Sequence, residues 1–188
     1  MKDAQTHDLP TGKDGIIRHG FGLKAEILDQ LQQDYHSDIV LQIREAGNRW
    51  RIGRLTLRLA SHFGFCYGVD KAIDFAYETR RRFPDRRIYL TAEIIHNPRV
   101  NRRMLEMGVG FLSGQYADGM SLDKLRPEDV VLLPAFGVSN ELLDRLKEIG
   151  CILVDTTCGS VVHVWKRVER YARDGFTSII HGKWWHEE

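Results

Sequence analysis

From Leu55 onwards, the sequence alternates short apolar runs with longer segments that have one apolar face. Residues 130–133 are wholly apolar, which is typical of a strand buried on both faces of a parallel sheet. Between such runs, apolar residues recur at helical spacing. The first helical stripe is Val69, Ala72, Ile73, Ala76 and Tyr77. Repeated β–α units predict an α/β protein with parallel sheets flanked by helices.

The predicted strands are residues 55–59, 87–90, 109–112, 130–133, 152–154 and 177–180. We divide the chain into an N-terminal extension (residues 1–53), a first α/β lobe (54–150) and the start of a second α/β lobe (151–188). No covering helix follows the last predicted strand, so we expect the second lobe to be truncated. In the extension, residues 25–31 predict a helix, and residues 39–43 are compatible with an edge strand or a short helix.

The amino-acid composition limits which binding partners and which cellular location we expect. The 27 basic and 26 acidic residues nearly cancel, so no overall charge favours nucleic acid or an anionic membrane, and we expect neither as a partner. The basic residues 80–82 and 86–87 flank a predicted helix end, where they complement the helix dipole. No apolar run approaches the ~20 residues of a membrane span. The first residues lack a signal-peptide core, so we expect a cytoplasmic protein whose three cysteines remain reduced.

Two cysteines lie where predicted strands give way to helices. Cys66 follows the strand at 55–59 and Cys158 follows the strand at 152–154. Ligands of open α/β sheets bind beyond the carboxyl ends of the strands, so two thiols there suggest a shared metal centre. Cys151 begins a strand instead, and we expect it to lie in the core.

Other polar groups follow strands at the same predicted edge: Glu93, His96 and Asn97 after one strand, and His186 and Glu188 after the last. Imidazoles beside helix N-termini suit a phosphate, and a buried carboxylate can move protons. Each residue alone also has a structural interpretation, since a lone cysteine is often a small core residue. The sequence has no CxxC pair, dinucleotide-binding fingerprint or P-loop.

Several stretches resemble the 4-hydroxy-3-methylbut-2-enyl diphosphate reductase (LytB) family, in the longer form of cyanobacteria and plastids. They occur in family order across nearly the whole chain, and together they are highly specific. The matching stretches are Arg18-His19-Gly20-Phe21-Gly22, Gly64-Phe65-Cys66-Tyr67-Gly68-Val69, Glu93-Ile94-Ile95-His96-Asn97-Pro98, Leu133-Pro134-Ala135-Phe136-Gly137, Asp155-Thr156-Thr157-Cys158, His181-Gly182-Lys183 and His186-Glu187-Glu188.

The resemblance implies reductive removal of a hydroxyl group from an allylic diphosphate in the non-mevalonate isoprenoid pathway. It implies a [4Fe-4S] cluster held by three cysteines, of which Cys66 and Cys158 match the first two. His96 and His186 match histidines that contact the substrate diphosphate, and Glu188 matches the carboxylate that delivers a proton. By the same analogy, the electron donor would be a ferredoxin or a flavodoxin.

The sequence departs from the family pattern at three points. Phe136 stands where the short-form members have a histidine, and the longer form resembles this chain at that position. Gly159 stands where the family usually has a proline after the second cysteine. The third cysteine and a later diphosphate-binding loop of the family lie beyond residue 188. Cys151 does not match the missing ligand, because it precedes the carboxyl edge by a whole strand. The resemblance therefore covers an N-terminal portion of such an enzyme.

Two other functions are compatible with the same residues. A non-catalytic α/β fragment would keep the fold without holding a cluster. A zinc- or thiol-dependent hydrolase would use Cys66 or Cys158 with His96, although no base–nucleophile spacing supports it.

Overall fold

The computed structural model describes residues 9–182. Its seven strands are β1 (Ile16–Ile17), β2 (Arg49–Ile52), β3 (Leu55–Arg58), β4 (Ile88–Leu90), β5 (Val109–Phe111), β6 (Val130–Leu133) and β7 (Ile152–Asp155). Its six α-helices are α1 (Lys24–Tyr35), α2 (Asp38–Glu45), α3 (Tyr67–Arg82), α4 (Pro98–Glu106), α5 (Asn140–Ile149) and α6 (Gly159–Arg173). A 3₁₀ turn covers Leu122–Lys124.

Five of the strands form one parallel sheet in the order β1-β7-β6-β4-β5. The predicted α/β class, a parallel sheet flanked by helices, is therefore confirmed. All four residues of the central strand β6 are buried, as its continuous apolar run predicts. No helix within residues 9–182 is long and apolar enough to cross a membrane.

The core lies on both faces of this sheet. Successive side chains of a strand point to opposite faces. Accordingly, Val130 and Leu132 pack into one cluster, with Met104 of α4. Val131 and Leu133 pack into the other, with Leu146 of α5.

The signals for helix termini act as the sequence predicts in α5. The hydroxyl of Ser139 accepts a hydrogen bond from the Leu142 amide at 3.2 Å, which caps the helix. Gly150 ends it with φ of 84°, a left-handed conformation in which a side chain would be strained.

The first strand of the predicted lobe does form, but its predicted place in the parallel sheet is wrong. β3 pairs antiparallel with β2 in a separate hairpin. Only Gly53 and Arg54 connect the two strands, and Gly53 adopts φ of 57°. A two-residue turn of this kind directs a strand back onto the one before it.

Two further predictions concern the secondary structure of residues 177–180 and 39–43. The predicted strand at 177–180 is wrong, because these residues form no regular secondary structure and pair with no described strand, and Ile179 is 94% exposed. At residues 39–43, where either a strand or a helix was compatible, the chain forms α2. A strand needs a neighbouring strand to satisfy its backbone hydrogen bonds, and no described strand pairs with residues 177–180.

The sheet takes strands from all three segments into which we divided the sequence. β1 comes from residues 1–53, and its parallel partner β7 comes from residues 151–188. The hydroxyl of Tyr77 and Arg103 Nε both donate to the Asp34 carboxylate, at 2.6 and 2.8 Å, so that α1 is bound to α3 and α4. The observed sheet thus does not follow the segment boundaries, and a second lobe beginning at residue 151 stays a prediction.

An ion pair between the exposed Arg87 and the buried Asp129 joins the amino ends of β4 and β6. Arg87 donates from Nε at 2.7 Å to one carboxylate oxygen of Asp129 and from a terminal nitrogen at 2.5 Å to the other. The Arg126 amide donates to the same carboxylate at 2.8 Å. The hydrogen bonds from Arg87 to Asp129 raise the pKa of Arg87, and all three hydrogen bonds compensate the burial of Asp129, whose side chain is 1% exposed.

Replacing Asp129 by asparagine should lower the free energy of unfolding by about 2 kcal/mol, because an amide offers one acceptor where the carboxylate offers two charged oxygens. Urea denaturation followed by circular dichroism measures this. The control is Asp123→Asn, since Asp123 lies 3.7 Å from Arg145 in an exposed pair. Equal effects of the two substitutions would contradict a special contribution of Asp129.

Candidate metal centre

Cys66 and Cys158 occupy equivalent places in the fold. Cys66 is the N-cap residue of α3 and Cys158 is the N-cap residue of α6, both with extended backbone. The free amides and the dipole of a helix N-terminus favour a negatively charged group at this position. Cys158 follows β7 of the main sheet as predicted, whereas Cys66 follows the β2–β3 hairpin.

The structure brings the two helix N-termini together at Gly68. A Cβ atom placed on Gly68 would overlap Sγ of Cys158 and lie 3.0 Å from its Cβ. The first turn of α3 therefore lies directly against the Cys158 side chain, and only glycine leaves room for that approach. Because Gly68 is two residues after Cys66, this contact places both thiols in one region. This contact is the observation that supports the predicted convergence of the two cysteines.

Backbone hydrogen bonds link three loops at the carboxyl edge of the sheet. The Cys158 amide donates to the Ala135 carbonyl at 2.8 Å, and the Ala135 amide donates to the Ile94 carbonyl at 3.1 Å. The Cys158, Ala135 and Ile94 loops are consequently held in fixed relative positions by groups that do not depend on side-chain identity.

The loop before Cys158 is held by its own aspartate. Asp155 accepts hydrogen bonds from the amide and the hydroxyl of Thr157, at 2.9 and 2.5 Å. Arg18 Nε also donates to Asp155, at 3.2 Å. The Arg18 guanidinium bonds Asp14 as well and holds the pKa of that carboxyl at about 2. Sequence reasoning singled out both stretches but did not identify Arg18 as the contact between them.

His96 lies on a loop that buried amides hold in place. Asn101 accepts from the Ile94 amide at 3.2 Å and donates to the Ile95 carbonyl at 2.9 Å, and its side chain is fully buried. Asn97 caps α4 through its side-chain oxygen. The loop conformation is therefore set before any ligand binds.

The His96 ring itself is half exposed and lies beside Glu93 and Phe136. Its Nδ1 lies 3.3 Å from Oε2 of Glu93, and Glu93 accepts a second hydrogen bond from Gln115 at 2.8 Å. The ring stacks on Phe136 with centroids 4.3 Å apart and an interplanar angle of 22°. Phe136 thus contributes an aromatic surface that orients His96.

Cys66, Cys158 and His96 are the predicted site residues within the described part of the chain. His186 and Glu188 lie outside the described residues 9–182. Cys151 begins β7 at the opposite edge of the sheet and is only partly buried, with its thiol 3.5 Å from the Arg126 carbonyl. Within residues 9–182, no group of three or more histidine, cysteine or acidic residues has metal-site geometry.

Burial raises the pKa of the Cys151 thiol to about 11, so this thiol stays protonated at pH values at which metal-binding thiols are ionised. We expect the exposed Cys66 to be alkylated by iodoacetamide at pH ~8.5 and Cys151 to react about 100-fold more slowly than an unshifted thiol. Its reaction should accelerate as the pH rises towards about 11, where the thiolate forms. Peptide mass spectrometry measures both rates. Alkylation of Cys151 as fast as that of Cys66 would contradict this assignment.

The fold and the site define a parallel α/β protein whose sheet edge presents two cysteines at helix N-termini. The family described as "LytB protein" matches residues 57–188, and the chain belongs to this family.

Curated relatives from cyanobacteria share about half of their aligned residues with this chain. The 4-hydroxy-3-methylbut-2-enyl diphosphate reductase of Thermosynechococcus vestitus is 51% identical over 172 residues, which are 91% of this chain and 42% of the relative. The reductase of the same name from Gloeobacter violaceus is 50% identical over 176 residues, covering 92% and 42%. The chain thus spans about two fifths of the length of these relatives.

Two solved reductase structures are similar in fold to part of this chain. One, described as (E)-4-hydroxy-3-methyl-but-2-enyl diphosphate reductase, the terminal enzyme of the non-mevalonate pathway, superposes with a TM-score of 0.55 at 29% identity, covering 68% of this chain and 42% of that one. The Plasmodium falciparum reductase gives 0.54 at 26% identity, covering 62% and 34%.

Proposed function

We propose that this chain is the N-terminal part of a 4-hydroxy-3-methylbut-2-enyl diphosphate reductase and supplies two cluster thiolates and two substrate-binding imidazoles. The observation that carries the proposal is the contact of Gly68 with Cys158, which brings Cys66 and Cys158 to one edge in a member of the LytB family. We expect the reaction in the cytoplasm, where thiols stay reduced.

The donor set suits an iron–sulfur cluster, although it is incomplete within this chain. Thiolate is the ligand that such clusters require, and both candidate thiols cap helices. Cys151 does not suit the role of third ligand, because it lies at the other edge and its pKa is raised. When bound, a [4Fe-4S] cluster would supply electrons and an open iron that attracts the substrate hydroxyl.

The reaction breaks the C–O bond of an allylic alcohol. Two electrons and two protons enter, water leaves, and isopentenyl or dimethylallyl diphosphate forms. The electrons come from an external one-electron donor, a ferredoxin or a flavodoxin. The two protons enter at the leaving oxygen and at carbon, and the proposal assigns proton delivery to Glu188.

His96 would bind the diphosphate from its preset loop. Its Nδ1 lies 3.3 Å from Oε2 of Glu93, and the proposal assigns the imidazole a contact with a phosphate oxygen. Stacking on Phe136 restricts rotation of the ring, so little ordering remains to be done when the substrate binds. The proposal assigns a second diphosphate contact to His186.

A chimera tests this function directly. Residues 1–188 of this chain would replace the aligned segment of the Thermosynechococcus vestitus reductase, which supplies the missing part. We expect conversion of 4-hydroxy-3-methylbut-2-enyl diphosphate with kcat/KM within about tenfold of the parent. A chimera that holds the parent's amount of iron yet forms no product would refute catalytic competence of this segment.

Within the active chimera, Glu188→Gln should keep the iron content and lower kcat by about 10³-fold, since an amide cannot donate the proton. Iron analysis and single-turnover product formation provide the two readouts. The control is Glu128→Gln, because Glu128 is exposed and lies at the amino edge of the sheet. Unchanged turnover in Glu188→Gln would remove this residue from catalysis.

A second candidate is a non-catalytic α/β fragment without a cluster. It is favoured by the lack of a third ligand within residues 9–182. It predicts that the isolated chain and the chimera both fail to retain iron.

A further inference from the structure

The β2–β3 hairpin separates its charged and apolar residues onto two faces. Arg49 pairs with Arg58, and Arg51 pairs with Thr56, while Trp50 pairs with Leu57 and Ile52 with Leu55. Directly opposed residues point to the same face, and neighbours along a strand alternate. Three arginines, Arg49, Arg51 and Arg58, therefore share one face, which we call the cationic face. Arg54 adds a fourth positive charge in the turn.

The charges of the cationic face are uncompensated. All of its arginines are exposed, and no carboxylate among residues 9–182 forms an ion pair with them. Elsewhere in the described chain, arginines such as Arg87 and Arg103 do have acidic partners. The directly opposed pair of Arg49 and Arg58 also destabilises the hairpin, because like charges repel across strands. An anionic surface bound on this face would remove that repulsion.

The hairpin leads directly to the candidate metal centre. Only residues 59–65 separate Arg58 from Cys66, so the two Cα atoms lie at most about 29 Å apart. The connecting segment is anchored, since Phe65 packs on Tyr35 and Arg44 lies over Phe63. The cationic face and the exposed Cys66 are thus parts of one continuous surface segment.

We propose that the cationic face docks an acidic one-electron donor protein beside the metal centre. This inference rests on the proposed function, which requires two electrons from outside the chain. Two successive dockings would supply them, and each oxidises one reduced donor by one electron. A small charged patch suits such a partner, because transient electron-transfer complexes bury little area and use charge mainly for fast association.

The arrangement fits an acidic protein better than single-stranded nucleic acid. Single-stranded nucleic acid is bound by cations interleaved with aromatic rings, whereas Trp50 lies on the face opposite the arginines. On the opposite face Trp50 is half buried and α2 contacts β2, while Ile52, Leu55 and Leu57 are exposed, so binding of anionic vesicles is tested as the alternative. The net charge of the whole chain, +1, also gives no general attraction for polyanions.

Binding of an acidic plant-type ferredoxin in its oxidised state tests the inference without turnover. The triple variant R49E/R51E/R58E should weaken binding to the active chimera about thirtyfold at ~20 mM salt, and ~200 mM salt should weaken wild-type binding similarly. The control R145E/R167E/R173E makes the same charge change on α5 and α6 and should alter the affinity less than about twofold. A neutral triple, R49Q/R51Q/R58Q, guards against misfolding of the hairpin and should give an intermediate loss.

Turnover separates this inference from the proposed function. With ferredoxin as reductant, R49E/R51E/R58E should lose at least about tenfold in rate, whereas with dithionite and methyl viologen it should match the wild-type chimera. Equal ferredoxin affinity in both triple reversals would overturn the docking site. Hairpin-dependent binding of a single-stranded oligonucleotide or of anionic vesicles, in place of ferredoxin, would also overturn it. A chimera that is inactive with both reductants would contradict the proposed function instead. The binding measurement would still show whether the cationic face binds ferredoxin.

Discussion

Cys66→Ser and Cys158→Ser are each expected to remove most of the iron that the chimera binds after anaerobic reconstitution with iron and sulfide. Serine keeps the size of the side chain but is not ionised at neutral pH, so one cluster ligand is lost. Turnover should fall by at least about 10³-fold in each variant, since no other described thiol lies at this edge to compensate. Iron and sulfide analysis, together with product formation, measures both effects.

Cys151→Ser is the matched control for these two substitutions. It removes a thiol from the amino edge of the sheet and should leave the iron content and turnover near those of the unsubstituted chimera. Iron loss in Cys151→Ser equal to that in Cys158→Ser would show that Cys151 takes part in the centre. Full iron retention in both Cys66→Ser and Cys158→Ser would exclude the proposed ligands.

Gly68→Val is expected to have the second largest effect, because the position has no space for a side chain. Sγ of Cys158 occupies the place of any Cβ, so α3 and α6 must separate. We expect a loss of about 3 kcal/mol in the free energy of unfolding, at the upper end for overpacking of a buried site. Displacement of Cys158 should also lower the bound iron severalfold. Chemical denaturation and iron analysis of the same preparation test the two consequences together.

Gly159→Ala provides the comparison for Gly68→Val. Gly159 also stands in the first turn of a helix beside Cys158, but a Cβ there meets no atom within 4 Å. Its replacement should be neutral or slightly stabilising, since alanine has the higher helix propensity. If Gly159→Ala and Gly68→Val reduced iron equally, the close contact at Gly68 would not be what positions Cys158.

Local signals in the sequence were sufficient for most elements of the sheet. The apolar run at 130–133 predicted the central strand β6, and Ser139 and Gly150 predicted both ends of α5. The stripe after Cys66 likewise predicted α3. These predictions succeed because burial on both faces, helix periodicity and capping depend on neighbouring residues alone.

Predictions that needed a partner strand were less successful. Residues 55–58 and 177–180 have similar apolar character, yet the first pairs in a hairpin and the second does not pair. Conversely, β1 contains only two residues, and it lies in the sheet because β7 is available beside it. Strand propensity reports a fit to a pleated surface and does not identify the neighbour that provides it.

The sequence by itself determined the α/β class, the helix-capping positions of Cys66 and Cys158, and the likeness to the LytB family. Only the tertiary structure decided that Cys158 packs against Gly68 in the helix that Cys66 begins, that Arg18 contacts Asp155, and that the arginines of the hairpin share one face. The physical reason is the separation along the sequence over which each interaction acts. Periodicity and capping act within a few residues, whereas these contacts join positions that come together only when the sheet and helices pack.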